Sequence, residues 1–146
     1  MQQRRKSAVI IFLSAAIGLL SASCADSKFS QCERIIQISV RVTQQTNELC
    51  SNCETENTQE ALQVADVMEK AAEDMAATAI NDPQLQTYQQ GFIDIYRGMS
   101  QSTREFVAAL NQKDINAAKS AKVKLQQVGS TEKEIVDGIN NYCNSN

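Results

Sequence analysis

Histidine is missing from all 146 residues of the chain. Its absence removes Ser-His-Asp triads, Cys-His nucleophile pairs and histidine ligation of haem. It also removes the Glu-x-x-His pairs that hold iron in di-iron helix bundles. Tryptophan is absent, Pro83 is the only proline, and no segment reads as a low-complexity linker, so a single domain is expected. Glycine is scarce. Beyond the first 24 residues only Gly91, Gly98, Gly129 and Gly138 occur, spread along helical patterns, which leaves no Gly-rich phosphate loop. No stretch alternates apolar and polar residues for long enough to suggest a strand.

What is present begins with an export signal. "MQQRRKSAVIIFLSAAIGLLSAS" opens on Arg4, Arg5 and Lys6, continues through an apolar run from Ala8 to Leu20 broken by Ser14, and ends in small residues. This is the three-part layout of a bacterial secretory signal. The run is shorter than the ~20 residues that cross a bilayer core, so an uncleaved anchor is the weaker reading. Arg4-Arg5 lacks the extended motif of a twin-arginine signal. Ser21, Ala22 and Ser23 precede Cys24, so the small residues of a lipoprotein junction are in place while its leucine is displaced to Leu20. Cleavage by ordinary signal peptidase after Ser23 or Ala25 is the competing reading. We expect a signal peptide over 1–23, a short tether over 24–29 with lipid on Cys24, and a bundle domain over 30–146. Loss of the signal leaves 11 basic residues against 17 acidic ones, which argues against general nucleic-acid binding.

Four amphipathic segments follow. Ser30 and Glu33 suggest a capping box for the first, with Cys32, Ile35, Ile36, Ser39, Val42, Thr46 and Cys50 on one face. Asn57 and Glu60 open the second, whose thin seam runs Leu62, Ala65, Met68, Ala72, Met75, Ala79. Asp82-Pro83 ends it and starts the third, aspartate as N-cap and proline in the first turn. The third is the most regular: Leu85, Tyr88, Phe92, Ile95, Met99, Ser102, Phe106 and Ala109 step by three and four. "NQKD" (111–114) then leads into a fourth, capped by Asp114, with Ile115, Ala118, Ala121, Leu125, Val128, Ile135, Ile139 and Tyr142 in phase. Gly129 costs ~1 kcal/mol in a helix interior, but the apolar phase survives it, so a continuous or kinked helix is expected. Short connections make this an all-α, antiparallel up-down-up-down four-helix bundle. The seams are its core rather than a ligand groove.

Besides Cys24 there are Cys32, Cys50, Cys53 and Cys143, which allow three pairings. In an antiparallel bundle Cys32 and Cys143 share one end, while Cys50 and Cys53 lie a helix length away, ~27 Å at 1.5 Å per residue. A bond reaches only ~5.5 Å between Cα atoms, so Cys32–Cys143 with Cys50–Cys53 is the pairing expected. "CSNC" is the one place where chemistry competes with structure. A reactive CxxC draws on a helix N-terminus; this one follows a helix and sits among Glu48, Glu54 and Glu56, which disfavour a thiolate. It also lacks the histidine of a c-type haem motif. Two cysteines at one end do not make a zinc site, and Met68, Met75 and Met99 sit on core seams rather than as copper ligands. No catalytic, cofactor or metal residues are therefore assigned.

Charge is uneven. Glu60, Asp66, Glu69, Glu73 and Asp74 face Lys70 on the second helix, while Lys113, Lys119, Lys122 and Lys124 outnumber Asp114 on the fourth. Solvated faces explain this most simply; a lysine face toward an acidic protein partner or anionic headgroups is the functional alternative.

"ADVMEKAAEDM", "LQTYQQGFIDIYRGMSQSTREFVAAL" and "EKEIVDGINNYC" resemble small exported helical proteins of cyanobacteria, over about Cys32 to Cys143. The resemblance implies an envelope or lumenal helical protein and brings no activity or site residues. The lumenal four-helix lipoproteins of photosystem II are similar only in architecture and address, and fold does not carry function. Three functions compete: a non-catalytic interaction or scaffold protein held at a periplasmic or lumenal membrane surface through Cys24, a periplasmic thiol–disulfide protein using Cys50 and Cys53, and a carrier of a small apolar ligand. The first leads.

Overall fold

The computed structural model describes residues 26–49 and 57–145, and these form four α-helices with no strand among them. They are α1 (Lys28–Leu49), α2 (Thr58–Ala77), α3 (Pro83–Asn111) and α4 (Ile115–Asn144). Three of the expected starts are made as the side chains dictate. Asn57 accepts from the Gln59 and Glu60 amides and donates to the Glu60 carboxylate at 2.6 Å. Asp82 accepts from the Gln84 and Leu85 amides, both at 2.9 Å, with Pro83 next to it in the first turn. Asp114 accepts from the Ala117 amide at 2.9 Å.

The start of α1 differs from the expected capping box. Ser27 takes the cap, its hydroxyl accepting from the Ser30 amide at 3.1 Å and its carbonyl from the Gln31 amide. The helix therefore begins two residues before Ser30, because Asp26 and Ser27 are held in place by Gln31 and Arg34. The end of α2 also differs. It stops at Ala77 and leaves 78–82 extended, since Gln86, Gln89 and Gln31 saturate that segment's backbone groups from outside. Ala79, expected on the α2 seam, is exposed for that reason. Between α3 and α4, Lys113 adopts a left-handed φ of 57°. The Asp114 amide reaches back to Ala109 O and the Lys113 amide to Leu110 O, a Schellman closure with lysine where glycine is usual. α4 runs unbroken through Gly129.

α3 is the axis of the fold, packing along both α2 and α4, while α1 lies mainly against α2. Buried Ile35, Met75, Leu85, Phe92, Tyr96 and Ile139 form the centre of the core. Contacts between successive helices run in reversed order: Arg34 meets Ala79 and Arg41 meets Asp74, while along α3 Tyr88 meets Gly138, Gly98 meets Val128 and Glu105 meets Lys124. Ile115, placed on the α4 seam by periodicity, is 59% exposed at the first position of its helix.

One end of the molecule is fastened. Cys32 and Cys143 lie at disulfide distance, with sulphurs 2.09 Å and Cα atoms 6.0 Å apart. Beside them the buried Gln31 donates to Asp26 O and accepts from the Asn81 and Asp82 amides at 2.7 and 2.9 Å. Arg34 pairs with Asp26 and donates to Ala79 O at 2.8 Å. Lys28 donates to Tyr142 O at 3.0 Å, and the Tyr142 hydroxyl donates to Asp82 at 2.9 Å. The Leu85 amide, then the Tyr142 hydroxyl, hold the Asp82 carboxyl below the usual carboxylate range.

Two measurements check this packing. A Cβ at Gly129 meets nothing within 4 Å, so Gly129→Ala should raise urea-unfolding stability by about 0.5–1 kcal/mol through helix propensity. A Cβ at Gly138 would lie 2.8 Å from the Tyr88 ring, so Gly138→Ala should lower it, by about 1–3 kcal/mol for overpacking. The Cys32–Cys143 loop spans 111 residues, and replacing both cysteines by serine should cost about 4–5 kcal/mol on the chain-entropy account. Non-reducing peptide mapping should recover the same crosslink.

Candidate functional site

The weak apolar character of α1 has a structural consequence. Its inner face carries Ile35, Ile38 and Val42 near the fastened end but Ser39, Thr43 and Thr46 along the flank. Those hydroxyls bond to carbonyls of their own helix, Ser39 to Ile35 O, Thr43 to Ser39 O and Thr46 to Val42 O. Such a face offers little to bury, and α1 makes only sparse contact with α3 and α4. A cleft of about 650 Å³ runs between these three helices, with Met68 of α2 also in its lining; it is floored by Phe92, Tyr96 and Ile139 and flanked by Ile36, Met99 and Val136. The Tyr96 hydroxyl donates across it to Ser39 Oγ at 3.1 Å, tying α3 to α1. Tyr96 is 1% exposed and its ring stacks on Phe92 with centroids 5.9 Å apart, so this wall is closely packed from behind.

Among the described residues Glu132 is the one carboxylic acid lining the cleft, and no lysine or arginine lines it. Burial pushes its carboxyl above the usual glutamate value of 4.5, and no hydrogen bond or cation among the described residues offsets that push. Burial also raises the Tyr96 phenol; its bond to Ser39 acts the other way, and the Glu132 charge adds to the rise. The carboxylate and the phenol thus feel one another across the same cleft.

No protein-family model, curated protein or solved structure matches this chain. Its chemistry has to come from its own residues.

Of the residues assigned from the sequence, Cys32 and Cys143 come together as expected. Cys24, Cys50 and Cys53 lie outside the described residues, as does the expected Cys50–Cys53 bond. Met75 is fully buried in the core, while Met68 and Met99 are partly buried and line the cleft. Among the described residues no group of three or more cysteine, aspartate or glutamate side chains converges as metal ligands. Of the expected lysine face, Lys113, Lys119, Lys122 and Lys124 are all exposed. Lys124 also pairs with Glu105 on α3 at 2.7 Å, holding that carboxyl low. On α2, Asp66 pairs with Arg104 and Asp74 with Lys70 and Arg41. Sequence reasoning missed Glu132, Gln31 and the cleft. A glutamate in phase with Val128, Ile135, Val136 and Ile139 was the available signal for the first.

Glu132 generates a signed prediction. Its raised folded value means that stability is fully present below 4.5 and is lost as pH rises through that folded value, so at neutral pH the ionised carboxylate is a burden. Glu132→Gln should melt at a higher temperature than the unmodified protein at pH 7. The difference should vanish below pH 4.5, where the carboxyl is protonated folded and unfolded alike. Thermal melts across that range check it.

Proposed function

We propose that this chain is an exported, non-catalytic bundle protein that acts as an interaction or scaffold module at a membrane surface. Residues 1–23 are its signal peptide, and lipid on Cys24 is its anchor, in the periplasm or thylakoid lumen. The helices run up-down-up-down. The reversed order of contacts between successive helices, from Arg41 with Asp74 to Tyr88 with Gly138, supports that topology.

The observation that carries the reading is where the fold is fastened. Gln31, Cys32 and Arg34, in the first two turns of α1, tie the start of the domain to the end of α4 and to the 78–82 segment. A chain held at Cys24 would be pulled at this end, and the crosslink passes the load across the bundle rather than unzipping α1. Among the described residues no helix is long and apolar enough to cross a membrane, so attachment under this proposal rests on the acyl chains. One chain binds membranes marginally, whereas the two or three of a bacterial lipoprotein anchor stably. The exposed lysine face, Lys113, Lys119, Lys122 and Lys124, is what this reading offers to an acidic protein partner. The resemblance to small exported helical proteins of cyanobacteria agrees with this address. A periplasmic thiol–disulfide protein working through Cys50 and Cys53 is the alternative, and it draws on the CxxC spacing alone.

Intact-mass measurement on protein from the native membrane fraction should give an acylated Cys24 as the first residue and two disulfides. Cys24→Ala should move the protein to the soluble fraction. Soluble, unmodified protein beginning at Ala25 or Asp26 would refute the anchor.

A further inference from the structure

We infer that the cleft between α1, α3 and α4 binds a hydrophobic cation, a protonated amine on an apolar aliphatic or aromatic body, with Glu132 as its counter-ion. This goes beyond the anchoring role proposed above and does not depend on Cys24.

The volume comes first. About 650 Å³ lies inside the ~300–1,000 Å³ range of small-molecule sites. Its walls are mostly hydrocarbon: Ile36, Val40, Met68, Phe92, Met99 and Val136. Val40 is 49% exposed at the α1 side, so an apolar body seated there would also cover surface that the fold leaves in water. The two methionines adapt to irregular shapes more readily than branched side chains do.

Charge then selects the ligand. Glu132 is half-buried in this wall without a cation or hydrogen-bond partner among the described residues. A neutral apolar ligand would cover the carboxylate and deepen its desolvation. An anionic ligand would set a second negative charge beside it. A cation relieves both costs, through a charge-assisted hydrogen bond in a partly water-excluded setting. The buried Tyr96 ring, held by Phe92 and by its bond to Ser39, closes the base of the cleft, with its phenol within electrostatic reach of Glu132. Asn140 and Thr43 line the same cleft and offer acceptors for the remaining N–H groups of an amine.

Three matched probes test the idea on the full chain by isothermal titration at pH 7 and low salt: 1-naphthylmethylamine, 1-naphthylmethanol and 1-naphthoic acid. The amine should bind, the alcohol should bind about tenfold more weakly, and the acid should not bind. Glu132→Gln is close to isosteric and should reduce amine affinity to that of the alcohol while leaving alcohol affinity unchanged. The comparison of probes on the unmodified protein stands even if that variant folds poorly. Equal affinity for amine and alcohol, tighter binding of the acid, an unchanged amine affinity in folded Glu132→Gln, or no heat from any probe overturns the inference. Repeating the titration with Cys24→Ala should give the same affinities, which separates failure of this site from failure of the anchor.

Discussion

The carboxamide of Gln31 ties α1 to two stretches of chain outside any helix. Its nitrogen donates to the Asp26 carbonyl ahead of α1, and its oxygen accepts from the Asn81 and Asp82 amides that precede α3. The side chain is 4% exposed, and a buried amide left without partners would cost about 1–3 kcal/mol. Burial of Gln31 therefore requires the 78–82 segment to be where it is. That placement sets Asp82 as the α3 cap, and the second oxygen of Asp82 then receives the Tyr142 hydroxyl at the end of α4. Cys32 follows Gln31 directly and bonds the same end of α4. Polar satisfaction and the crosslink thus act at one place, and the directions of α1, α3 and α4 are all referred to it.

Away from that end, α1 is held by little. Past Val42 the helix presents hydroxyls and carboxamides rather than branched hydrocarbon, so closing it onto α3 and α4 would bury polar groups for small gain. The helices on the other side approach closely because Gly91, Gly98 and Gly138 let Ile135, Val128 and Tyr88 fit against the opposite backbone. A tight α3–α4 pair and a poorly filled α1 flank leave a cleft as the geometric remainder. The Tyr96–Ser39 bond keeps α1 in register across it. The same circumstance explains Glu132: a carboxylate belongs in water, yet it sits where two helices meet a third that does not fully cover them.

Part of the surface charge is spent in pairs between helices. The acidic face of α2 meets Arg41, Lys70 and Arg104, and Glu105 meets Lys124. Pairs this exposed contribute little stability each, but they mark which faces are already matched. Lys119 and Lys122 make no ion pair among the described residues and remain open to solvent.

Helix number, the caps at Asn57, Asp82 and Asp114, continuity through Gly129 and the Cys32–Cys143 pair were all legible in the sequence. Each follows from information within a turn or two of chain, or from counting cysteines against helix lengths. The start of α1 is local, and there the Ser30–Glu33 pair was simply the wrong choice over Ser27. The end of α2 was not legible, because Gln31, Gln86 and Gln89 set it from elsewhere in the fold. The cleft was invisible for a related reason. Periodicity says which face of α1 turns inward, and it correctly placed Cys32, Ile35 and Val42 there. How far inward that face goes depends on what the facing helices can accept, and that is a property of three surfaces at once. The chain alone determined that four amphipathic helices form and where a crosslink could close them. Only their packing decided that Gln31 is buried, that α1 stands off, and that the unpartnered charge of Glu132 faces an apolar wall, because burial depth arises from contacts between residues far apart in sequence.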